Sequence, residues 1–238
     1  GSWIKSNPIP PEESRWGIAN LVVNENYLKL RNICEAAAKN SNADHNSRRI
    51  GDFWSMAMDS IHADQLGISP LKPLLDQIDS IQSIPQLLHM VAELHKLGSN
   101  TAFSLYATQD LKKSDQMALY LNQGGLGLPN RDYYFNTDPR TSNIRNEYPH
   151  HIAVMLQFLG RTQEQSSRDA QQILSLETAL AKSSRKLEDL RDPNANYNPY
   201  TIAKFKMLTP AINWTEWLQA AEIKVDSCIV GQPEFFKT

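Results

Sequence analysis

Ser83-Ile84-Pro85-Gln86-Leu87-Leu88-His89-Met90-Val91-Ala92-Glu93-Leu94-His95-Lys96-Leu97-Gly98 is the stretch that decides the fold class. Ile84, Leu87, Leu88, Val91 and Leu94 recur at the i, i+3, i+4, i+7 spacing that lines one face of an α-helix. Both ends agree with that. Ser83 and Gln86 have capping-box spacing, Pro85 falls in the first turn where its missing N–H does no harm, and Gly98 can take the left-handed position after the last turn. The spacing predicts an amphipathic helix from Ile84 to Leu97, with one face on protein and the other in water.

Working outward, the same period returns from Gln163 to Leu190, where Ile173, Leu176, Leu180 and Leu187 form a stripe. Further helices are predicted over Glu12 to Lys39, Ser47 to Gln65, Pro70 to Ile78, Thr141 to Leu159, Pro199 to Leu208 and Trp214 to Ala221. Two runs read as extended, Ala102 to Thr108 and Lys224 to Val230. The opening Trp3 to Pro11, set by Pro8, Pro10 and Pro11, reads as extended chain delivering Ser14-Arg15-Trp16-Gly17 to a long helix. Between Asn122 and Asp138 the periodicity stops, and Gly, Pro and turn formers alternate with two Leu and two Tyr in a structured loop. The expected fold is mainly α: a multi-helix domain with a small β-hairpin or two short extended segments. No repeat and no convincing linker interrupts residues 1–238, and the length suits one large domain or two small ones.

The 238 residues carry 24 Lys+Arg against 26 Asp+Glu, a net charge of −2, which lacks the basic surplus of a nucleic-acid binder. A hydrophobic fraction of 41% with 21% charged residues is that of a globular chain. No run approaches the roughly 18 apolar residues of a membrane helix, and Gly1 to Lys5 lacks the apolar region of a signal peptide. Cys34 and Cys228 form no CxxC. Two free thiols are expected, with a disulfide open only if the fold brings the pair together.

The search for chemistry is mostly negative. His89 and His95 lie six residues apart, about 240° around a helix, and cannot share an ion on one face. His150 and His151 are adjacent and diverge, while His45 and His62 lack ligand-spaced companions. No HExxH occurs, so no metal site is expected in this chain. Gly124-Gly125-Leu126-Gly127 departs from a phosphate loop because Asn130 stands where the last glycine belongs and Pro129 opposes a helix start. There is no G-x-S-x-G. Asn213-Trp214-Thr215 fits a glycosylation sequon and equally a helix start. Asp76 with Asp79, and Glu188 with Asp189, read as solvated faces. One binding candidate remains: Arg15, beside Trp16, has the chemistry of a bidentate carboxylate clamp, and equally of a surface arginine packed on an aromatic.

Several motifs fall into a known order. Trp3, Lys5, Asn7, Ile9 and Pro10 precede Ser14-Arg15-Trp16-Gly17. Next come Gln123-Gly124-Gly125-Leu126-Gly127-Leu128-Pro129-Asn130-Arg131-Asp132-Tyr133-Tyr134, then Arg191-Asp192, Tyr197-Asn198 and Thr201. Ile212-Asn213-Trp214 and Pro233-Glu234-Phe235-Phe236 follow. This series resembles the amino-terminal third of the neprilysin and endothelin-converting-enzyme family of zinc metallopeptidases, including bacterial oligopeptidase O, over nearly the whole chain.

The resemblance implies a helical lid domain, residues 1–238, that encloses a peptide cavity and is completed by a later segment. It implies zinc in the full-length enzyme, held by a downstream HExxH and Glu in the carboxy-terminal catalytic part, with no catalytic or metal residue in this chain. It assigns Arg15 to the free C-terminal carboxylate of a peptide substrate. Asn20 and Val23 depart from the neprilysin pattern, where an acidic residue and a second arginine stand. That departure implies a looser oligopeptidase cleft. For the Gln123 to Tyr134 stretch the residues favour a structural role: Gly for turns, Arg131 and Asp132 for local pairing, Tyr133 and Tyr134 for packing. A periplasmic, cell-surface or secreted location is implied, with a cytoplasmic one as the alternative. The alternative from another class is a non-enzymatic helical binding or adaptor protein, which the lack of a helix-pair period disfavours.

Overall fold

A computed structural model describes residues 1–11, 13, 15–40, 42 and 44–237. The chain divides into two compact units, Gly1–Pro70 and Leu71–Thr238. Twelve helices and four strands occur among the described residues, so the fold is mainly α with a small sheet.

The first unit contains α1 (Ser2–Ser6), α2 (Ile18–Lys39), α3 (His45–Ala57) and α4 (Ser60–Leu66). The opening differs from the extended chain expected: Ser2–Ser6 coils into a short helix, which Asn7 closes by donating its backbone N–H and its Nδ2 to Trp3 O, each at 2.9 Å. Only the prolines that follow hold the chain open. Helix α2 starts after Gly17, whose N–H donates to Asn20 Oδ1 at 3.1 Å, while Glu12 and Ser14 lie outside the described residues. The helix expected over Ser47 to Gln65 is two, because Asp59 accepts from His62 N at 2.9 Å and caps a new start. Helices α2 and α3 meet where a Cβ on Gly51 would stand 2.6 Å from Ala37 O, so only glycine permits that approach.

A 3₁₀ turn, Ser69–Leu71, spans the boundary at which the second unit begins. There, α5 (Lys72–Asp79) and α6 (Ile84–Lys96) lead to the hairpin of β1 (Phe103–Gln109) and β2 (Met117–Gln123). Next come α7 (Asp132–Phe135), α8 (Pro139–Phe158) and α9 (Gln163–Ser183). The chain ends through β3 (Asn198–Thr201), α10 (Ile202–Leu208), α11 (Trp214–Ala220), β4 (Ser227–Val230) and α12 (Pro233–Phe236). The sheet order is β1-β2-β4-β3: β1 and β2 antiparallel with Tyr106 opposite Tyr120, β2 and β4 parallel with Tyr120 beside Ile229, β3 and β4 antiparallel with Pro199 beside Ile229. Pro199 is tolerated because β3 is an edge strand.

Helix α6 keeps its predicted limits, with Ser83 capping it through Gln86 N and Gly98 at φ +86, but Ile84 and Leu87 of the predicted stripe are exposed while Met90, Val91 and Ala92 are buried. Helix α9 stops at Ser183, short of Leu190, and Leu176 and Leu187 are exposed rather than part of its buried stripe. The core of this unit is aromatic. Phe103, Phe205, Trp214, Trp217 and Phe236 pack with ring centroids 4.6–6.1 Å apart around Val230 and Leu121. Trp214 and Phe205 are fully buried. No described helix is long and apolar enough to cross a membrane. Cys34 and Cys228 are both free thiols.

Candidate functional site

Arg15 sits on the short run of chain that enters α2, two residues before its Gly17 cap. Its side chain is exposed and makes no hydrogen bond or ion pair with a described residue. Trp16 beside it is half-buried, and no stacking of the guanidinium on an aromatic ring is found among the described residues. Arg15 therefore presents its fork of five donors to solvent without a partner among the described residues, the chemistry that a carboxylate needs. Asn20 spends its side-chain oxygen on the Gly17 N–H, and Val23 is 46% exposed on α2.

The histidines do not converge. His89 Nε2 lies 4.0 Å from Glu93 Oε1 at the i, i+4 spacing of one helix face. His95 is spent differently: Nδ1 lies 2.8 Å from Val91 O and Nε2 2.9 Å from Phe103 O, tying α6 to the start of β1. Among the described residues no group of three or more His, Cys, Asp or Glu could hold a metal ion. The described donors do not fit a zinc ion.

The motif residues are brought together in two places. Around the Gly-rich loop, Tyr134 accepts from Leu128 N–H at 3.1 Å and donates to Glu177 Oε2 at 2.5 Å, while Tyr148 donates to Glu177 Oε1 at 3.0 Å. Burial, followed by the neighbouring Glu177 carboxylate, pushes both phenols up, Tyr148 to about 12. A Cβ on Gly127 would overlap the Tyr148 hydroxyl, so the glycine makes room for this triad. Gly125 has φ +73, and a Cβ there would stand 2.9 Å from the Ala102 backbone. Arg145 Nη1 fastens the loop's end by donating to Tyr133 O at 3.0 Å and Asn136 O at 2.9 Å. Arg131 and Asp132 face each other at 3.8 Å. The loop is a packed structural element, with no unspent nucleophile or base among these groups.

The second place lies where β2 ends. Gln123 donates Nε2 to Arg185 O at 3.1 Å and accepts from Arg185 N at 2.7 Å, while its own N–H donates to Gln232 Oε1 at 2.9 Å. Arg185 forks onto Glu234, with Nη2 to Oε2 at 3.0 Å and a second bond from Nε to Oε1. Its Nη1 donates to Ala195 O at 3.0 Å and Asn196 Oδ1 at 3.1 Å. Gln232 Nε2 reaches Asn196 Oδ1 at 2.7 Å, and Asn198 Nδ2 reaches Val230 O at 2.9 Å. The stretches containing Gln123, Asn198 and Glu234 are thus stitched to each other across the sheet. Arg185, Asn196, Gln232 and Glu177 escaped the sequence reading. Glu177 had a signal: a charge between Ile173 and Leu180 on an inward helix face needs a partner. Asn196 and Gln232 lie in non-periodic segments that offer none, and Arg185 falls within the stretch from Gln163 to Leu190 that reads as helix, whose period gives no sign of its partners.

Residues 1–238 match the family model of the amino-terminal part of peptidase family M13. Endothelin-converting enzyme 1 of Cavia porcellus is 31% identical over 230 residues, covering 92% of this chain and 29% of that protein. Neprilysin-3 of Drosophila melanogaster is 29% identical over 252 residues, covering 99% of this chain and 32% of its own length. Among solved structures, the zinc metalloprotease ZMP1 of Mycobacterium tuberculosis in complex with inhibitor superposes with a TM-score of 0.89 at 25% identity, covering 99% of this chain and 36% of that one. The chain spans about a third of the length of these curated relatives.

Proposed function

The chain belongs to peptidase family M13, and on that premise we propose that it forms the amino-terminal, substrate-enclosing part of a zinc metallopeptidase that hydrolyses oligopeptides. Hydrolysis and zinc binding fall to a carboxy-terminal catalytic part outside these residues, and the chain's contribution is to bind and enclose the peptide. The observation that carries this is the family match over residues 1–238, set beside the share of about a third that the chain makes up of its relatives.

In this proposal Arg15 receives the terminal carboxylate of the substrate through two parallel N–H···O bonds. Its exposure and its lack of an ion pair with any described residue support that role. The apolar faces that α2 and α3 expose, with Ile33, Phe53 and Met56 at 57%, 69% and 68% exposure, are covered by a later segment of the longer protein. The enzyme acts on peptides outside the cytoplasm, at the periplasm or cell surface, which fractionation of the native host checks. In the full-length enzyme, Arg15→Ala should raise KM for short peptides with a free C-terminus about tenfold or more, with little change for C-terminally amidated ones. Equal effects on both classes would remove the clamp role, and a full-length protein without peptidase activity would remove the enzyme reading itself.

A further inference from the structure

Both ring nitrogens of His95 face backbone carbonyls: Nδ1 lies 2.8 Å from Val91 O, one turn back on α6, and Nε2 lies 2.9 Å from Phe103 O, where β1 begins. A carbonyl oxygen can only accept, so each contact needs a proton on the ring nitrogen. Neutral imidazole carries one such proton and imidazolium carries two, so only the charged ring makes both bonds. The Phe103 ring supports the same reading: it lies tilted by 31° against the imidazole with centroids 4.9 Å apart, inside the roughly 6 Å at which an aromatic face attracts a cation. His95 is half-buried, whereas the other histidines are exposed, so its contacts shelter the ring and water still reaches it. The titratable groups on the elements around it are engaged elsewhere or exposed. On α6, Glu93 pairs with Lys96 at 3.0 Å and stands 4.0 Å from His89 Nε2, and Lys96 also pairs with Glu222 at 2.9 Å. Helix α11 adds the exposed Glu216, while Trp217 is the residue that meets His95, and β1 brings only the Tyr106 phenol, stacked on Tyr120.

The bond to Phe103 closes over a strained turn. Ala102, the last residue before β1, has φ +66, a left-handed conformation that its Cβ disfavours. The Gly-rich loop rests on this same backbone: a Cβ on Gly124 would stand 2.8 Å from Ser104 N, and one on Gly125 would stand 2.9 Å from Ala102 Cα. We propose that His95 is a proton-operated latch, which as imidazolium joins α6 to β1 through both carbonyls and holds the seat of the Gly-rich loop, and which releases that seat on losing either ring proton. Whichever nitrogen is deprotonated then points a lone pair at a carbonyl oxygen 2.8 or 2.9 Å away, so the ring turns out of place and the second bond is disturbed with the first. The latch is closed on the acid side of the histidine titration, which falls between about pH 5 and 8, and opens on the alkaline side. It uses neither Arg15 nor zinc, and it stands independently of the peptidase reading.

The test follows the ring N–H protons of the full 238-residue chain labelled with ¹⁵N-histidine, assigned through their contact with the Phe103 ring. Hydrogen exchange is measured beside it at the Ser99 and Phe103 amides, which donate within the turn to Leu94 O and Thr101 O at 2.9 Å. At about pH 5, His95 is expected to show two slowly exchanging ring N–H protons where the exposed histidines show none, and by about pH 8 one of the two is lost. Protection of the two amides, corrected for the intrinsic exchange rate, should fall with it about tenfold or more. His95→Gln, which keeps an uncharged donor, should abolish that pH dependence. Should His95→Gln fail to fold, the unsubstituted chain still decides, by the number of its ring N–H protons and by whether amide protection falls in step with the loss of one. A single slowly exchanging ring N–H at about pH 5, amide protection unmoved by its loss, or the same pH dependence in His95→Gln would overturn the latch.

Discussion

Replacing Tyr134 by Phe removes one oxygen and breaks two hydrogen bonds, and replacing Tyr148 by Phe breaks one. Tyr134 Oη accepts from Leu128 N–H at 3.1 Å and donates to Glu177 at 2.5 Å, whereas Tyr148 Oη only donates to Glu177, at 3.0 Å. A hydrogen bond to a charged group contributes about 1.5–3 kcal/mol, and a buried backbone N–H left unmet costs about 1–3 kcal/mol. Tyr148→Phe should therefore destabilise the Leu71–Thr238 unit by about 2 kcal/mol and Tyr134→Phe by about 3–4 kcal/mol. At about 2–4 °C per kcal/mol for a unit of this size, the melting point should fall by roughly 4–8 °C and 6–16 °C respectively. The double variant should cost less than the sum by about 1 kcal/mol, because both tyrosines serve one carboxylate. Thermal unfolding followed by tyrosine and tryptophan ellipticity measures all three. A Tyr134→Phe loss no larger than that of Tyr148→Phe, or strict additivity, would refute the shared-carboxylate geometry.

Further outcomes follow from the same contacts. The Tyr148 phenol, pushed to about 12 by burial and by Glu177, stabilises the fold fully below the ordinary tyrosine value and loses that contribution as pH rises through about 12. Tyr148→Phe should accordingly flatten the alkaline limb of the stability profile above about pH 10. Burial acts to raise the Glu234 carboxyl, but the hydrogen bond from Arg185, a backbone hydrogen bond and the charges of Arg185 and Lys237 together outweigh it and hold the group below the usual range. That contribution is present above the ordinary glutamate value and is lost as pH falls through the depressed one, so Glu234→Gln should weaken the acid dependence measured by urea titration. Burial pushes the Cys228 thiol up to about 12, while Cys34 is half-buried and reachable. A thiol reagent should modify one cysteine per native chain and the second only after unfolding; two rapid equivalents would contradict the burial of Cys228. Gly125→Ala should destabilise by about 2–3 kcal/mol, since it meets both a positive φ and the Ala102 backbone, whereas Gly160→Ala, at φ +83 with open space around it, should cost about 1 kcal/mol.

What could be read in advance depended on how each segment is buried. Helix α6 has one face on protein and one in water, and its side chains record that asymmetry, so its limits were legible to a residue. Strand β2 is central, and consecutive Leu119, Tyr120 and Leu121 are all buried; with both faces covered there is no alternation to find. Strand β3 is four residues long and holds Pro199, which argues against a strand until its edge position is known. The lengths of α9 and of the Ser47 to Gln65 segment were overread because apolar spacing continues past the breaks. Asp59 and Arg185 end that regularity through partners at other positions. Of the candidate site, Arg15 was singled out through its motif, and its side chain is exposed with no partner among the described residues. His95 was weighed only as a metal ligand, and the carbonyl that takes its Nε2 is set by the turn from α6 to β1, which no local pattern reveals.

The first unit poses a physical question that its own residues cannot answer. Helix α2 runs for 22 residues without one buried side chain, and in α3 only Gly51 is buried. Yet Val22, Leu30 and Ile33 on α2, and Phe53 and Met56 on α3, are 52–69% exposed. Each such side chain left in water forgoes about 1.5–3 kcal/mol of burial. The close approach at Gly51 and Ala37 joins two backbones without covering those side chains, and helices in water draw most of their stability from packing of an apolar face. The exposed pair Arg31 and Glu35 adds only a few tenths of a kcal/mol. The α2 and α3 sequences are therefore written for a surface that residues 1–70 do not themselves supply. That deficit is what the proposed role requires of a wall that is completed by another part of its enzyme.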